Sequence, residues 1–190
     1  VSLSSDGSVV AIAAKGNNSK GVASGHVRVY KNVNDNWTKI GEDIDGEFAS
    51  DESGYSVSLS SDGSVIAIGA PYNDDGGGES GGQVRVFEWN GSDWIQLGSD
   101  IDGEDFGDYS GVSVSLSADG SFIAIGAYGN DGNGSISGHV RIYQNNAGTW
   151  TKTAEDIDGE AANDNSGWAV SLSNDGSTVA VGAYLNDSNG

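Results

Sequence analysis

Residues 57–70 read VSLSSDGSVIAIGA, and the change of pattern within them decides the fold. Val57 and Leu59 alternate with Ser58 and Ser60, the signature of a half-buried strand. Asp62-Gly63 then reverses the chain, and residues 65–70 run continuously apolar, as a strand covered on both faces does. The segment is a β-hairpin. Asp-Gly predicts a two-residue type I′ turn, because both central residues of that turn need positive φ. The hairpin recurs from Val1, Val114 and Val170, at offsets of 56, 57 and 56 residues from one copy to the next.

Two further blocks keep the same period. GHVRVY from Gly25 returns as GQVRVF from Gly82 and GHVRIY from Gly138, and a tryptophan followed by Asp-Ile-Asp-Gly-Glu returns at Trp37, Trp94 and Trp150. In the second copy QVRVFEW, 83–89, predicts a third strand and WIQLG, 94–98, a fourth. Four antiparallel strands cannot bury both faces alone, so the copies must stack. Radial stacking gives an all-β fold, a β-propeller of four-stranded blades with about 56 residues per repeat. A β-solenoid is the rival, but its coils are shorter and need no tight hairpin. The expected repeats are 1–47, 48–104, 105–160 and 161–190: three complete blades and half of a fourth. A propeller closes with about four to eight blades, so the chain reads as part of a larger one.

The 31 glycines and single proline suit a chain that turns often. With 28 acidic against 8 basic residues the formal charge is -20, which repels phosphate backbones and anionic lipid; neither nucleic-acid binding nor membrane insertion is expected. There is no cysteine, hence no disulfide and no thiolate metal site. No stretch has the run of about 18 apolar residues a membrane helix needs. Val1-Ser2-Leu3-Ser4 reads as the interior of a repeat, not as a signal peptide.

Gly54-Tyr55-Ser56-Val57-Ser58 followed by Ala67-Ile68-Gly69-Ala70-Pro71 resembles the FG-GAP repeat of integrin alpha-subunit propellers and related secreted proteins. The other copies are more degenerate: Val112 and Trp168 stand at the place of Tyr55, and Gly-Ala-Pro becomes Ala13-Ala14-Lys15, Gly126-Ala127-Tyr128 and Gly182-Ala183-Tyr184. The linkers and the Ala-Tyr-x-Asn-Asp loops are similar to repeat-rich secreted or surface proteins of marine bacteria and algae. The resemblance implies a propeller and an extracellular address. Integrin-type propellers often hold calcium on an Asp-x-Asp-x-Asp-Gly hairpin loop; Ser60-Ser61-Asp62-Gly63-Ser64 offers one carboxylate there, so that site does not carry over.

Antiparallel alternation sends the loop between strands two and three and the linker to the next blade to one face, which collects most of the acids. Each linker holds a quartet: Asp43, Asp45, Glu47 and Asp51; Asp100, Asp102, Glu104 and Asp108; Asp156, Asp158, Glu160 and Asp164. Alternate carboxylates can converge on calcium, which selects oxygen-rich turns; equally, they suit solvated linkers whose isoleucine packs inward. Trp37, Trp94 and Trp150 fit blade packing better than sugar stacking. Tyr55, Val112 and Trp168 lie nearest the axis, where packing or the tuning of a central pocket are both open. Arg28, Arg85 and Arg141 are expected to bridge to neighbouring carboxylates or to face solvent. His26 and His139 open third strands, with Gln83 at the intervening place, and no blade combines histidine with a nucleophile and a base. Catalysis therefore has no visible constellation. The expectation is a non-catalytic extracellular adhesion or scaffolding module presenting acidic Gly/Asn/Asp loops to a protein or a glycan. Its alternatives are the accessory propeller of a secreted enzyme and a filament subunit pairing with copies of itself.

Overall fold

The computed structural model describes residues 1–75 and 77–187, and none of them is helical. Four antiparallel sheets follow one another along the chain. Blade 1 holds β1 (Ser2–Leu3), β2 (Val9–Ala13), β3 (His26–Val33), β4 (Asn36–Lys39) and β5 (Ile44–Asp45). Blade 2 holds β6 (Ser56–Leu59), β7 (Val65–Ala70), β8 (Gln83–Trp89), β9 (Trp94–Gln96) and β10 (Ile101–Asp102). Blade 3 holds β11 (Ser113–Leu116), β12 (Phe122–Ala127), β13 (His139–Asn146), β14 (Thr149–Lys152) and β15 (Ile157–Asp158). Blade 4 is the pair β16 (Ser166–Leu172) and β17 (Val179–Ala183).

Each complete blade is a meander whose outermost strand is broken. β4 pairs with the end of β3 and β5 with its beginning, Val27 opposite Ile44, and the same holds for β9 and β10 on β8 and for β14 and β15 on β13. The Asp-Ile-Asp motif, read as linker, is thus the second half of the fourth strand. It must pair there because the start of the third strand would otherwise leave its backbone groups unbonded.

The hairpin turn differs from the type I′ expectation. Gly63 is left-handed at φ 71°, but Asp62 is not among the residues with positive φ. Gly63 N–H donates to Ser60 O at 3.0 Å, so Ser61 and Asp62 form the centre of the turn and Gly63 follows it. The aspartate holds this geometry. Its Oδ1 accepts from Ser60 Oγ, Ser64 Oγ and Ser64 N–H at 2.8, 2.7 and 2.9 Å.

The core lies between blades. Ile66 and Ile68 of β7 pack toward Val9, Ala11, Val27 and Val29 of blade 1, while Val65 and Ala67, on the other side of the same strand, pack with Leu116, Ile123 and Ile125 of blade 3. Covering on both sides explains the unbroken apolar run 65–70; burial of each isoleucine contributes about 1.5–3 kcal/mol. Polar groups then fasten neighbours together. Leu59, Leu116 and Leu172 N–H donate to Oγ of Ser2, Ser58 and Ser115 in the preceding blade, at 3.0, 3.0 and 2.9 Å. The alternating serines of the first strands thus face a neighbouring blade and not bulk water. Trp94 and Trp150 donate their indole N–H to Ile40 O and Leu97 O of the preceding blade. Trp37, on which no other sheet packs among the described residues, is 49% exposed against 7% for Trp94. Arg85 and Arg141, both buried, reach back to Asp45 O and Asp102 O at 2.7 and 2.8 Å.

Candidate functional site

The linkers and the loops between second and third strands do share one face: Gly25 bridges to Ser53, Gly82 to Ser110 and Gly138 to Ser166. Within it the acids take four distinct jobs. Asp43 receives Arg28 and Lys39 at 2.8 and 2.7 Å, which hold its pKa down at about 2; Asp156 receives Lys152 at 2.9 Å, and Asp100 receives Gln96 Nε2 at 2.6 Å. Asp45 accepts from Ser19 Oγ, while Asp102 faces Gln83 Nε2 at 3.5 Å with its pKa raised by burial; Asp158 borders the pocket described below. Glu47 and Glu104 lie 3.7 and 3.4 Å from Arg85 and Arg141, and Glu160 is exposed.

The last acid of each quartet is a clamp. Asp51, Asp108 and Asp164 are buried, and the Oδ2 of each accepts from a backbone N–H of its own turn and from the amide of Asn73, Asn130 or Asn186 in the next blade. Burial raises the pKa of Asp51. Among the described residues no three carboxylates of one linker bring their oxygens within 4.8 Å of one another. The trio that does come so close crosses two linkers and adds a histidine: Glu104, His139 and Asp156. It borders a pocket of about 460 Å³ between blades 2 and 3, which Asp105, Asp108, Asp131 and Asp158 also line. Arg141 explains the juxtaposition, since its bond to Asp102 O draws the linker of blade 2 over the start of β13, where His139 sits.

A second feature runs across blades 2 to 4, and only part of it is legible in the sequence. Six aromatic rings follow one another across three blades: Tyr55, Tyr72, Tyr109, Tyr128, Trp168 and Tyr184, with successive centroids 6.2, 5.6, 5.0, 4.9 and 4.6 Å apart. Tyr109 and Tyr128 stack with planes 2° apart, and Lys15 Nζ sits 4.2 Å over the Tyr55 ring, extending the arc into blade 1. Burial and the neighbouring phenols push the Tyr128 pKa up to about 12, so it stays a neutral donor. Tyr55 and Trp168 belong to the set expected nearest the axis, whose third member, Val112, is buried and carries no ring. Tyr72, Tyr128 and Tyr184 were available from the sequence as well, because each closely follows a second strand that ends in Gly-Ala.

Two segments, residues 44–87 and 153–190, match the FG-GAP repeat. The first runs from β5 through most of β8, and the second takes in the blade 4 hairpin. In the FG-GAP repeat of blade 2 the Gly-Tyr and Gly-Ala-Pro elements meet across β6 and β7, where Ser56 pairs with Gly69. No curated protein sequence matches the chain. Among solved structures, hydrazine synthase of Kuenenia stuttgartiensis superposes on 94% of this chain with a TM-score of 0.58 at 15% identity. A candidate 6-phosphogluconolactonase from Bacteroides uniformis superposes on 83% with a TM-score of 0.57 at 12% identity. Both are β-propeller proteins, and likeness at such identity speaks for the fold alone. The chain covers 39% of each of them.

Proposed function

We propose that the chain is a non-catalytic binding module of a secreted or cell-surface protein, and that it receives a basic segment of a partner protein on the aromatic arc. The observation that carries this reading is the unbroken run of rings from Tyr55 to Tyr184 set in a strongly acidic molecule. Ring faces attract ammonium and guanidinium groups, and Lys15 over Tyr55 is an example built into the chain itself. The charge of -20 steers cationic partners toward it and turns anionic ones away. Tyr55, Tyr72, Tyr109 and Tyr128 are half-buried, so the arc keeps accessible surface along its length. The extracellular address rests on the FG-GAP repeat.

Surface plasmon resonance with an arginine-rich peptide and with a panel of neutral oligosaccharides tests the reading. The peptide is expected to bind saturably, and Tyr128→Ser and Trp168→Ser are each expected to weaken it at least tenfold, with the circular dichroism unchanged. Peptide binding that survives both substitutions would be charge alone and would overturn the proposal; so would ring-dependent binding of an oligosaccharide without binding of the peptide.

A further inference from the structure

The junction of blades 2 and 3 holds a donor set that the preceding junction lacks. Glu104, His139 and Asp156 each place one potential ligand atom within 4.8 Å of the others. His139 is 1% exposed, and its Nε2 has no hydrogen-bond partner, an unusual state for a buried polar atom. A neutral imidazole keeps one ring-nitrogen lone pair to donate to a metal. At the junction of blades 1 and 2 the equivalent residues are Glu47, Gln83 and Asp100, where an amide replaces the imidazole and spends its N–H on Asp102.

We propose that Glu104, His139 and Asp156 bind one divalent cation of the zinc class. An imidazole nitrogen beside two carboxylate oxygens is the mixed set that zinc accepts, whereas calcium asks for about six to eight oxygens. A tetrahedral shell with bonds of about 2.1 Å sets its donors roughly 3.4 Å apart, so a trio whose ligand atoms lie within 4.8 Å of one another needs at most a small contraction to close on the metal. Glu104 supplies the movement, because its side chain is the most exposed and the longest of the three. Arg141 approaches Glu104 Oε1 at 3.4 Å and Lys152 holds Asp156 Oδ1 at 2.9 Å. Each engages one oxygen of its carboxylate, and the second oxygen carries the metal bond. The remaining coordination position opens on the pocket, whose other acids draw cations in.

Isothermal titration of the metal-stripped chain with zinc chloride is the test. One zinc per chain is expected, with an absorption band of four-coordinate cobalt when cobalt is used in its place. His139→Gln puts the residue of the neighbouring blade at this position; it is expected to weaken zinc at least tenfold and to abolish the cobalt band, and Asp156→Asn to act likewise. A hundredfold excess of calcium should leave the zinc bound. Absence of stoichiometric zinc, an unchanged affinity in His139→Gln, or displacement by calcium would each overturn the assignment. Should His139→Gln fail to fold by circular dichroism, Glu104→Gln, at an exposed carboxylate, gives the same reading.

Discussion

Asp62 and its equivalents Asp6, Asp119 and Asp175 hold the inner hairpins through a single oxygen that collects serine hydroxyls and a backbone N–H. Donors aimed at the ionised form lower all four pKa values, those of Asp6 and Asp175 to about 2. A carboxylate whose pKa lies lower in the folded than in the unfolded chain stabilises the fold above its unfolded pKa of about 4, and that contribution fades as pH falls through the folded value. Asn in place of Asp keeps the acceptor and loses the charge. The double variant Asp62→Asn, Asp119→Asn is therefore expected to melt about 2–4 °C below the parent at pH 7, equivalent to about 1 kcal/mol. The gap should narrow as pH falls below about 4 in differential scanning calorimetry. A gap that does not change with pH would mean that the serines reward shape and not charge. The Asp-Gly pair announces a reversal to anyone reading the chain, but the serines on either side choose the turn. Their bonds to Asp62 were invisible until the loop was folded, which is why the reversal was legible and its type was not.

Between one strand and the next blade, glycine acts by being small. Gly69 and Gly126 have ordinary φ values, yet a Cβ on either would lie 2.0 Å from the carbonyl oxygen of Gly111 or Gly167 in the following blade. Both neighbours are backbone, so neither can swing aside. At Gly16, whose φ is also ordinary, a Cβ would meet nothing within 4 Å. Gly126→Ala is accordingly expected to cost about 1–3 kcal/mol or more in urea unfolding, and Gly16→Ala to be neutral within about 0.5 kcal/mol. Equal effects at the two positions would show that the blades relax apart instead of meeting at fixed distance. The strands themselves were legible because period and turns are written within about 56 residues. Contacts between blades are not written that way. The serine, tryptophan and arginine fastenings each join residues 39 to 58 positions apart, and only the repeat hints that such partners exist.

Across the whole molecule the same displacement explains why the closest approach of acids crosses repeat units. Reading by repeat unit collects four carboxylates per linker, whereas the third strand reaches back one blade and assembles Glu104 with His139 and Asp156. What remains is a surplus of negative charge with few cations left to meet it: of the eight basic residues, Lys15, Arg28, Lys39, Arg85, Arg141 and Lys152 are already in ion pairs. Folding brings the unpaired acids of successive linkers onto one face, so repulsion among them is larger in the native chain than in the unfolded one. Salt acts on both terms, weakening the exposed ion pairs and the repulsion together, but exposed pairs contribute at most about 1 kcal/mol each, and the excess of like charge outnumbers them. Raising sodium chloride from 10 mM to 0.15 M shortens the screening length from about 30 Å to about 8 Å. The thermal midpoint is expected to climb by about 3–6 °C over that interval, and to do so equally in choline chloride, since screening needs no particular cation. A midpoint that falls would mean that the ion pairs outweigh self-repulsion; a rise confined to sodium would point to a bound ion instead of a field.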